Sequence, residues 1–170
     1  MSTSGLTGFI IDGATKLSFQ TYDSNLDRVG LQVLQFCRDV TDWVAVRQGA
    51  RDLVVVDPED EPSVEQLAAL EGRWQRDRHP EDSWFSHLEK TQGCPGLILE
   101  AGFVTDPELE DYYIEFSYFI DFDKAEFRAY KADFDVSVKG GDIVTTGGPR
   151  LLGAWPLDAL PHDEEFLSLE

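Results

Sequence analysis

Apolar and polar positions alternate most strictly over residues 113–122, where every second residue from Ile114 is large and apolar. A period of two is typical of a β-strand with one face in the core. After a turn at Asp123-Lys124, Phe127 and Ala129 continue the alternation on a second run. The pattern therefore predicts an antiparallel hairpin in the C-terminal half of the chain.

The N-terminal segment shows the same kind of pattern around a turn. Two β-prone runs, residues 6–11 and 16–22, flank the sequence Asp12-Gly13-Ala14-Thr15. An Asp-Gly pair between two such runs is a strong hairpin signal, because it accepts the positive φ angles of a tight turn. We therefore expect the chain to open with a β-hairpin.

Residues 26–40 change to helical spacing. Their apolar positions predict one amphipathic helix over about 26–38, with Cys37 on its buried stripe. Ser24, followed three residues later by Asp27, resembles a capping box at the start of this helix.

The rest of the chain divides into short elements at glycine, proline and acidic turns. We predict a helix over 41–48 that ends at Gly49, and a strand at 53–56. Two further helices are predicted, one from the N-cap Ser63, with Gln66 three residues later, through Trp74, and one from Ser83 that breaks at Gly93-Cys94-Pro95. The C-terminal part is predicted to contain a weak strand near Ile143-Val144, bracketed by Gly140-Gly141 and Gly147-Gly148-Pro149, then a returning strand over 150–155 and a last helix that begins with acids. Residues 97–99 receive no assignment.

This order of elements predicts an α+β fold. Its antiparallel sheet is built from the N-terminal and C-terminal hairpins and packs against several helices. A length of 170 residues with 42% hydrophobic content suffices for one core, so residues 1–170 are expected to form a single globular domain.

Charge restricts the classes of function. The chain has 33 Asp and Glu against 14 Lys and Arg, a formal net charge of −19, yet residues 1–56 hold six acids and five bases. The acidic excess therefore lies downstream, where it repels nucleic acid and anionic membranes and attracts basic protein surfaces. With no apolar run long enough to cross a bilayer and no basic leader, we expect a soluble, cytoplasmic protein with reduced cysteines and no cofactor.

The favoured hypothesis is an acidic binding module or inhibitor that mimics the charge of nucleic acid toward a basic protein. The alternative is that the acids only keep the protein soluble. Acids also cluster at 57–61 and at 163–165. The candidate partner-binding residues are Asp106, Glu108, Glu110, Asp111, Glu115, Asp133 and Asp135.

An enzyme is the second hypothesis. Removal of Met1 would expose Ser2 directly before a hairpin, which is how N-terminal nucleophile hydrolases begin, with the terminal amine as the base. The competing interpretation is that Ser2 is an ordinary frayed terminal residue. The sequence favours a binding protein over this amidohydrolase and leaves the oligomeric state open.

Metal binding has two weak candidates. Asp121 and Asp123 lie on the same side of a strand and could share a divalent cation, although a turn also favours Asp for its backbone hydrogen bonds. His79, His87 and Cys94 have no compact zinc spacing, so structural or surface roles are favoured for them. We therefore expect no metal site.

Several motifs resemble a family of uncharacterised small proteins from bacteria, phages and fungi. These motifs are residues 5–13, Tyr22-Asp23-Ser24, residues 30–36, 118–123 and 155–161. Members of that family open with Met-Gly-Thr-Arg and reach an Asp-Gly/Ser-Tyr-Pro-x-Gly-x-Gly segment before the first helix. Here Ser2 and Ser4 replace the Gly and Arg, and Asn25-Leu26-Asp27-Arg28 replaces the Tyr-Pro-x-Gly turn. The resemblance implies a single-domain fold and no particular activity.

Overall fold

The computed structural model describes residues 3–70, 81–91, 93–105, 114–139 and 142–169. At 134–139 and 142–146 the description covers the backbone alone.

The structure has seven described strands in two sheets. The main sheet contains β1 (Gly5–Ile11), β2 (Ala14–Gln20), β5 (Phe116–Asp121), β6 (Glu126–Lys139) and β7 (Asp142–Pro156), and a small sheet pairs β3 (Val54–Val56) with β4 (Phe103–Thr105). The strand order across the main sheet is β2-β1-β5-β6-β7. Neighbours in the main sheet are antiparallel except β1 and β5, which are parallel. The predicted α+β class, with a sheet backed by helices, is confirmed.

The structure describes six α-helices. They are α1 (Leu31–Asp39), α2 (Trp43–Asp52), α3 (Val64–Leu70), α4 (Trp84–Leu88), α5 (Pro95–Ala101) and α6 (Asp163–Leu167), with a π-helical turn at Leu26–Gly30 and a 3₁₀ turn at Glu89–Thr91.

The N-terminal hairpin forms as predicted. Ile11 pairs with Ala14, and the two residues between them, Asp12 and Gly13, have φ angles of 53° and 75°. Positive φ at both central residues matches the twist of the flanking strands, so the turn sets the register of the whole hairpin.

The C-terminal hairpin is present, but two predictions about its extent are wrong. The strand begins at Phe116, opposite the first residue of β1, and not near Ile114. The strand β7 does not end at Gly147, Gly148 and Pro149, because it continues through these residues while paired with β6. Proline is tolerated there since β7 is an edge strand, whose outer amides need no partner strand. The weak and the returning strand are therefore one strand.

The first helix also differs from its prediction. It begins with the π-helical turn, in which the Gly30 amide donates to the Asn25 carbonyl at 3.1 Å, and continues as α1. Ser24 does not cap it: the cap residue is Asn25, and the buried Ser24 hydroxyl has no hydrogen-bond partner among the described residues. A Cβ on Gly5 would lie 2.8 Å from the Ser24 Cβ, so the Ser24 side chain occupies the space that this glycine leaves.

Gly49 does not end the second helix, which extends to Asp52. A Cβ at Gly49 would lie 3.3 Å from Leu99 Cδ2, so the glycine permits close packing of α2 against α5. The unassigned residues 97–99 belong to α5, which runs from Pro95 to Ala101 and is capped by Gly102 with φ 79°.

Other local predictions are confirmed. The Ser63 amide donates to Gln66 Oε1 at 2.8 Å, and the Gln66 amide donates to Ser63 Oγ at 3.2 Å, which is a reciprocal capping box. The predicted helix at Ser63 is described up to Leu70. Residues 71–80, and with them its predicted end near Trp74, lie outside the described part of the chain.

The main core fills the space between one face of the sheet and the helices. Its fully buried members include Phe9, Phe116, Tyr118, Phe127 and Phe166. A second, smaller core joins Leu70, Trp84, Leu88 and Ala101. This smaller core packs α3 and α4 against the end of α5.

Candidate functional site

The predicted partner-binding acids fall into two groups. Asp106, Glu108, Glu110 and Asp111 lie outside the described residues, as does the candidate nucleophile Ser2. Glu115 is half-buried, and its backbone amide and carbonyl bond to Ser4 and Ala132. Asp133 is exposed and forms an ion pair with Arg150 at 3.4 Å, whereas Asp135 is described only as a backbone position in β6.

The most concentrated group of exposed acids among the described residues is the acidic segment, which we define as residues 57–65. Its carboxylates belong to Asp57, Glu59, Asp60, Glu61 and Glu65, and all five residues are exposed. Five acids in nine residues give this segment a strongly negative local potential.

Backbone hydrogen bonds fix the acidic segment on α4. The Trp84 amide donates to the Asp60 carbonyl at 2.9 Å, and the Phe85 amide donates to the Pro58 carbonyl at 3.0 Å. Asp57 Oδ1 accepts the Glu59 amide at 2.9 Å, which closes the turn. The carboxylates therefore project from a backbone that is already ordered.

Five of the described arginines form ion pairs with acids outside the acidic segment. The ion pairs join Arg38 to Asp163 at 2.6 Å, Arg51 to Asp12 at 2.7 Å, Arg47 to Asp12 at 3.8 Å, Arg128 to Asp121 at 3.6 Å and to Glu126 at 3.5 Å, and Arg150 to Asp133 at 3.4 Å. Within the described ranges, none of these pairs involves a carboxylate of the acidic segment. A hydrogen bond from its own backbone amide, then one from Ser63, lowers the pKa of Glu65 below its ordinary value.

Asp121 and Asp123 serve the turns of the sheet. Asp121 is buried, and its Oδ1 accepts the amides of Asp123 and Lys124 at 3.0 and 3.1 Å. The two carboxylate oxygens of Asp123 accept the amides of Asp12 and Gly13, each at 2.8 Å. In the part of the chain that the structure describes, no group of three or more His, Cys, Asp or Glu could hold a metal ion.

These contacts define the turn end, where the Asp12-Gly13 turn, the loop at 122–125 and α2 meet. Arg51 donates to both oxygens of Asp12, at 2.7 and 3.2 Å. The hydrogen bond from Arg51 lowers the pKa of Asp12, and Asp12 in turn raises the pKa of Arg51.

Lys16 ties the N-terminal hairpin to the end of α2. Its ammonium group donates to the carbonyls of Ala50 and Leu53 at 3.0 and 2.7 Å, and also to the carbonyl of Arg51. These are carbonyls that the helix end leaves without helical partners. Burial lowers the pKa of Lys16.

Among the described residues, no cysteine and histidine are shown to form a nucleophile–base pair. Cys37 lies on the buried stripe of α1, as predicted, and burial raises the pKa of its thiol to about 12. A thiol in this state remains protonated at neutral pH and is a poor nucleophile. His87 is buried and Cys94 is half-buried, while His79 lies outside the described residues.

Two of the hollows on the described surface are large enough for a small molecule. One, of about 300 Å³, is on the sheet face opposite the helices and is lined by Leu6, Ile114, Phe119 and Tyr130 among others. The other, of about 500 Å³, lies at the turn end, where Arg47 and Lys124 join Trp43 and Leu157. Sequence reasoning found neither, because each brings together residues that are far apart in the chain.

No protein-family model, curated protein or solved structure matches this chain. The resemblance to the small-protein family therefore stays a prediction. Among the described residues, no helix combines the length and the apolar character needed to cross a membrane. We therefore infer function from the described side chains.

Proposed function

We propose that this protein is an acidic binding module that docks on a basic surface of another protein, with residues 57–65 as the principal contact. The observation that carries the proposal is the distribution of charge pairs. Arginines neutralise Asp12, Asp121, Asp133 and Asp163, while the carboxylates of the acidic segment take part in no described ion pair.

Order in the segment favours such a role. The hydrogen bonds to Trp84 and Phe85 and the Ser63–Gln66 capping box restrict its backbone before any partner arrives. A binding surface that is already ordered loses less conformational entropy on association, so more of the electrostatic attraction appears as affinity. Exposed charges also raise the association rate, and salt reduces that effect.

The predicted contacts at Asp106, Glu108, Glu110 and Asp111 are retained in this proposal as a second acidic patch. Asp133 is a weaker candidate than the sequence indicates, because Arg150 already neutralises it. Inhibition of a nucleic-acid-binding protein is the specific form of the proposal in which the partner surface is a basic groove.

The test compares two variants with the same change of charge. Glu59→Gln, Asp60→Asn and Glu61→Gln are combined in one chain, and Asp23→Asn, Asp27→Asn and Asp39→Asn in the control chain. All six residues are exposed. Each protein carries a C-terminal tag, is used to capture partners from lysate of its native host, and is eluted with a salt gradient.

We expect the wild type and the control variant to retain the same basic protein and to release it at moderate salt. The variant of the acidic segment should lose it, and purified partner should bind that variant at least tenfold more weakly. Equal capture by both variants would contradict the role of residues 57–65. A parallel chain with Asp106, Glu108, Glu110 and Asp111 neutralised tests the second patch in the same way.

The amidohydrolase hypothesis for Ser2 stays a prediction, since no described contact supports it. Because the tag is C-terminal, the same preparations have a free N-terminus. An added N-terminal residue should leave partner capture unchanged if binding is the function.

A further inference from the structure

We propose that the 500 Å³ hollow at the turn end binds a small aromatic monocarboxylate. Its volume lies within the range of about 300–1,000 Å³ that is usual for small-molecule pockets. It is separate from the acidic segment, and the proposal does not depend on the proposed function.

The apolar part of the hollow provides a surface for a flat ring. Trp43 and Phe122 meet edge to face, with ring centroids 6.1 Å apart and planes at 72°. Trp43 is half-buried and therefore keeps part of its ring accessible, while the nearly buried Phe122 joins the hollow to the core. Leu157 and the exposed Val44 complete this wall. An aromatic ligand would bury this surface and pack against the Trp43 ring.

Two cationic side chains, Arg47 and Lys124, line the same hollow and have hydrogen-bond donors without described partners. The side chain of Lys124 is exposed and makes no ion pair with any described carboxylate. Arg47 is 45% exposed, and its nearest carboxylate oxygen, on Asp12, is 3.8 Å away, beyond hydrogen-bond distance. Asp12 instead makes its hydrogen bonds with Arg51. Arg47 and Lys124 therefore both have donors available for a carboxylate that enters the hollow.

The acids near the hollow select against multiply charged anions. Asp158 also lines it, so its wall carries one positive charge more than negative charges. Asp123 is next to Lys124 in the chain, but its two oxygens accept the amides of Asp12 and Gly13, and it makes no described ion pair with Lys124. With a net charge of −19 on the whole chain, a polyphosphate would meet repulsion that a single carboxylate largely avoids.

Backbone strain provides a further reason to regard this loop as functional. Ala125, which lines the hollow, has a φ of 55°, a value that alanine rarely adopts, and its carbonyl accepts the Leu157 amide at 3.0 Å. Strained residues that are held by their surroundings occur preferentially at ligand sites.

The experiment titrates the protein with 1-naphthoate, 1-naphthamide and 1-naphthyl phosphate, and follows amide and indole NMR signals. We expect saturable shifts at Trp43 and Ala125 with naphthoate, and roughly tenfold weaker binding of the neutral amide, since it lacks the charge that the cations recognise. The phosphate should also bind more weakly than naphthoate. Shifts located elsewhere, or none at millimolar naphthoate, would overturn the proposal.

Variants then test the assigned contacts. Lys124→Gln should weaken naphthoate binding roughly five- to tenfold, as should Arg47→Gln, while Asp158→Asn should strengthen it. Lys90→Gln is the matched control, because Lys90 is an exposed lysine outside the hollow. Naphthoate affinity unchanged in Lys124→Gln would also overturn the proposal. Lys124 is an exposed loop residue, so this variant is expected to fold, which circular dichroism can verify.

Discussion

Carboxylate side chains stabilise the turns at the turn end, whereas in the acidic segment they remain exposed and without ion pairs to described residues. At the turn end, Asp12, Asp121 and Asp123 accept hydrogen bonds from arginine or from backbone amides of neighbouring turns. In the acidic segment, Glu59, Asp60 and Glu61 take part in no described ion pair. The number of acids in a region therefore does not reveal which of them are available to a partner, whereas their hydrogen bonds and ion pairs do.

The strongest test of this contrast is Asp121→Ala. We expect it to lower the free energy of unfolding by about 3 kcal/mol, because two loop amides lose their acceptor and Arg128 loses a buried partner. Urea denaturation measures the effect. Asp121→Asn, which keeps one acceptor oxygen, should lose less. A loss below about 1 kcal/mol for the alanine variant would show that Asp121 does not organise the loop.

Asp123→Ala removes the link between the two turns. Its two hydrogen bonds, to the Asp12 and Gly13 amides, are short but exposed, so we expect a loss of about 1–2 kcal/mol. Hydrogen exchange should accelerate at the Asp12 and Gly13 amides. If these two amides kept their protection, the proposed link between the turns would be wrong.

Ala125→Gly should have the opposite sign. Glycine adopts a φ of 55° without the steric cost of a Cβ, so we expect a gain of about 1 kcal/mol in unfolding free energy. Ala14→Gly is the control, because Ala14 is also exposed but lies in a regular strand, where glycine destabilises. Thermal unfolding of both variants gives the comparison. Destabilisation by both would contradict a strained Ala125.

Acid titration examines the Asp12–Arg51 pair. Because the pKa of Asp12 is lower in the folded state than its ordinary 3.8, its contribution to stability is present above that value and is lost as the pH falls through the folded-state pKa. Asp12→Asn should therefore be less stable than wild type near pH 6 and approach it in strong acid. A stability difference that stays constant from pH 6 into strong acid would contradict this contribution of Asp12.

Neutralising the acidic segment should change stability least. We expect the combined Glu59→Gln, Asp60→Asn and Glu61→Gln variant to remain within about 0.5 kcal/mol of wild type in urea, with any change a gain from reduced repulsion. A loss above about 1 kcal/mol would show that these carboxylates stabilise the fold, as those of the turn end do.

The parts of the fold that were predictable depend on neighbouring residues. The Asp12-Gly13 pair determines its own turn, and Ser63 and Gln66 cap each other three residues apart. Two of the predictions that failed, at Gly49 and at residues 147–149, treated glycine and proline as breakers. Packing against Leu99 and pairing with β6 outweigh those local preferences.

The candidate sites divide in the same way. The acids at 57–61 are visible in the sequence as a cluster, but their hydrogen bonds to α4 are not. The turn end has no sequence signature, since Asp123 bonds to amides more than 100 residues earlier in the chain. Asp121 and Asp123 are adjacent to the predicted turn, yet only the structure shows that they serve two different turns.

The sequence by itself therefore determined the hairpins, the capping box, the buried stripe of α1 and the excess of negative charge. These features arise from φ preferences, side-chain periodicity and hydrogen bonds within a few residues. The tertiary structure alone decided the parallel pairing of β1 with β5, the hydrogen bonds from Asp123 to another turn, and the placing of Trp43 and Lys124 around one hollow. Such contacts depend on which distant segments the core brings together, and local preferences carry no information about that choice.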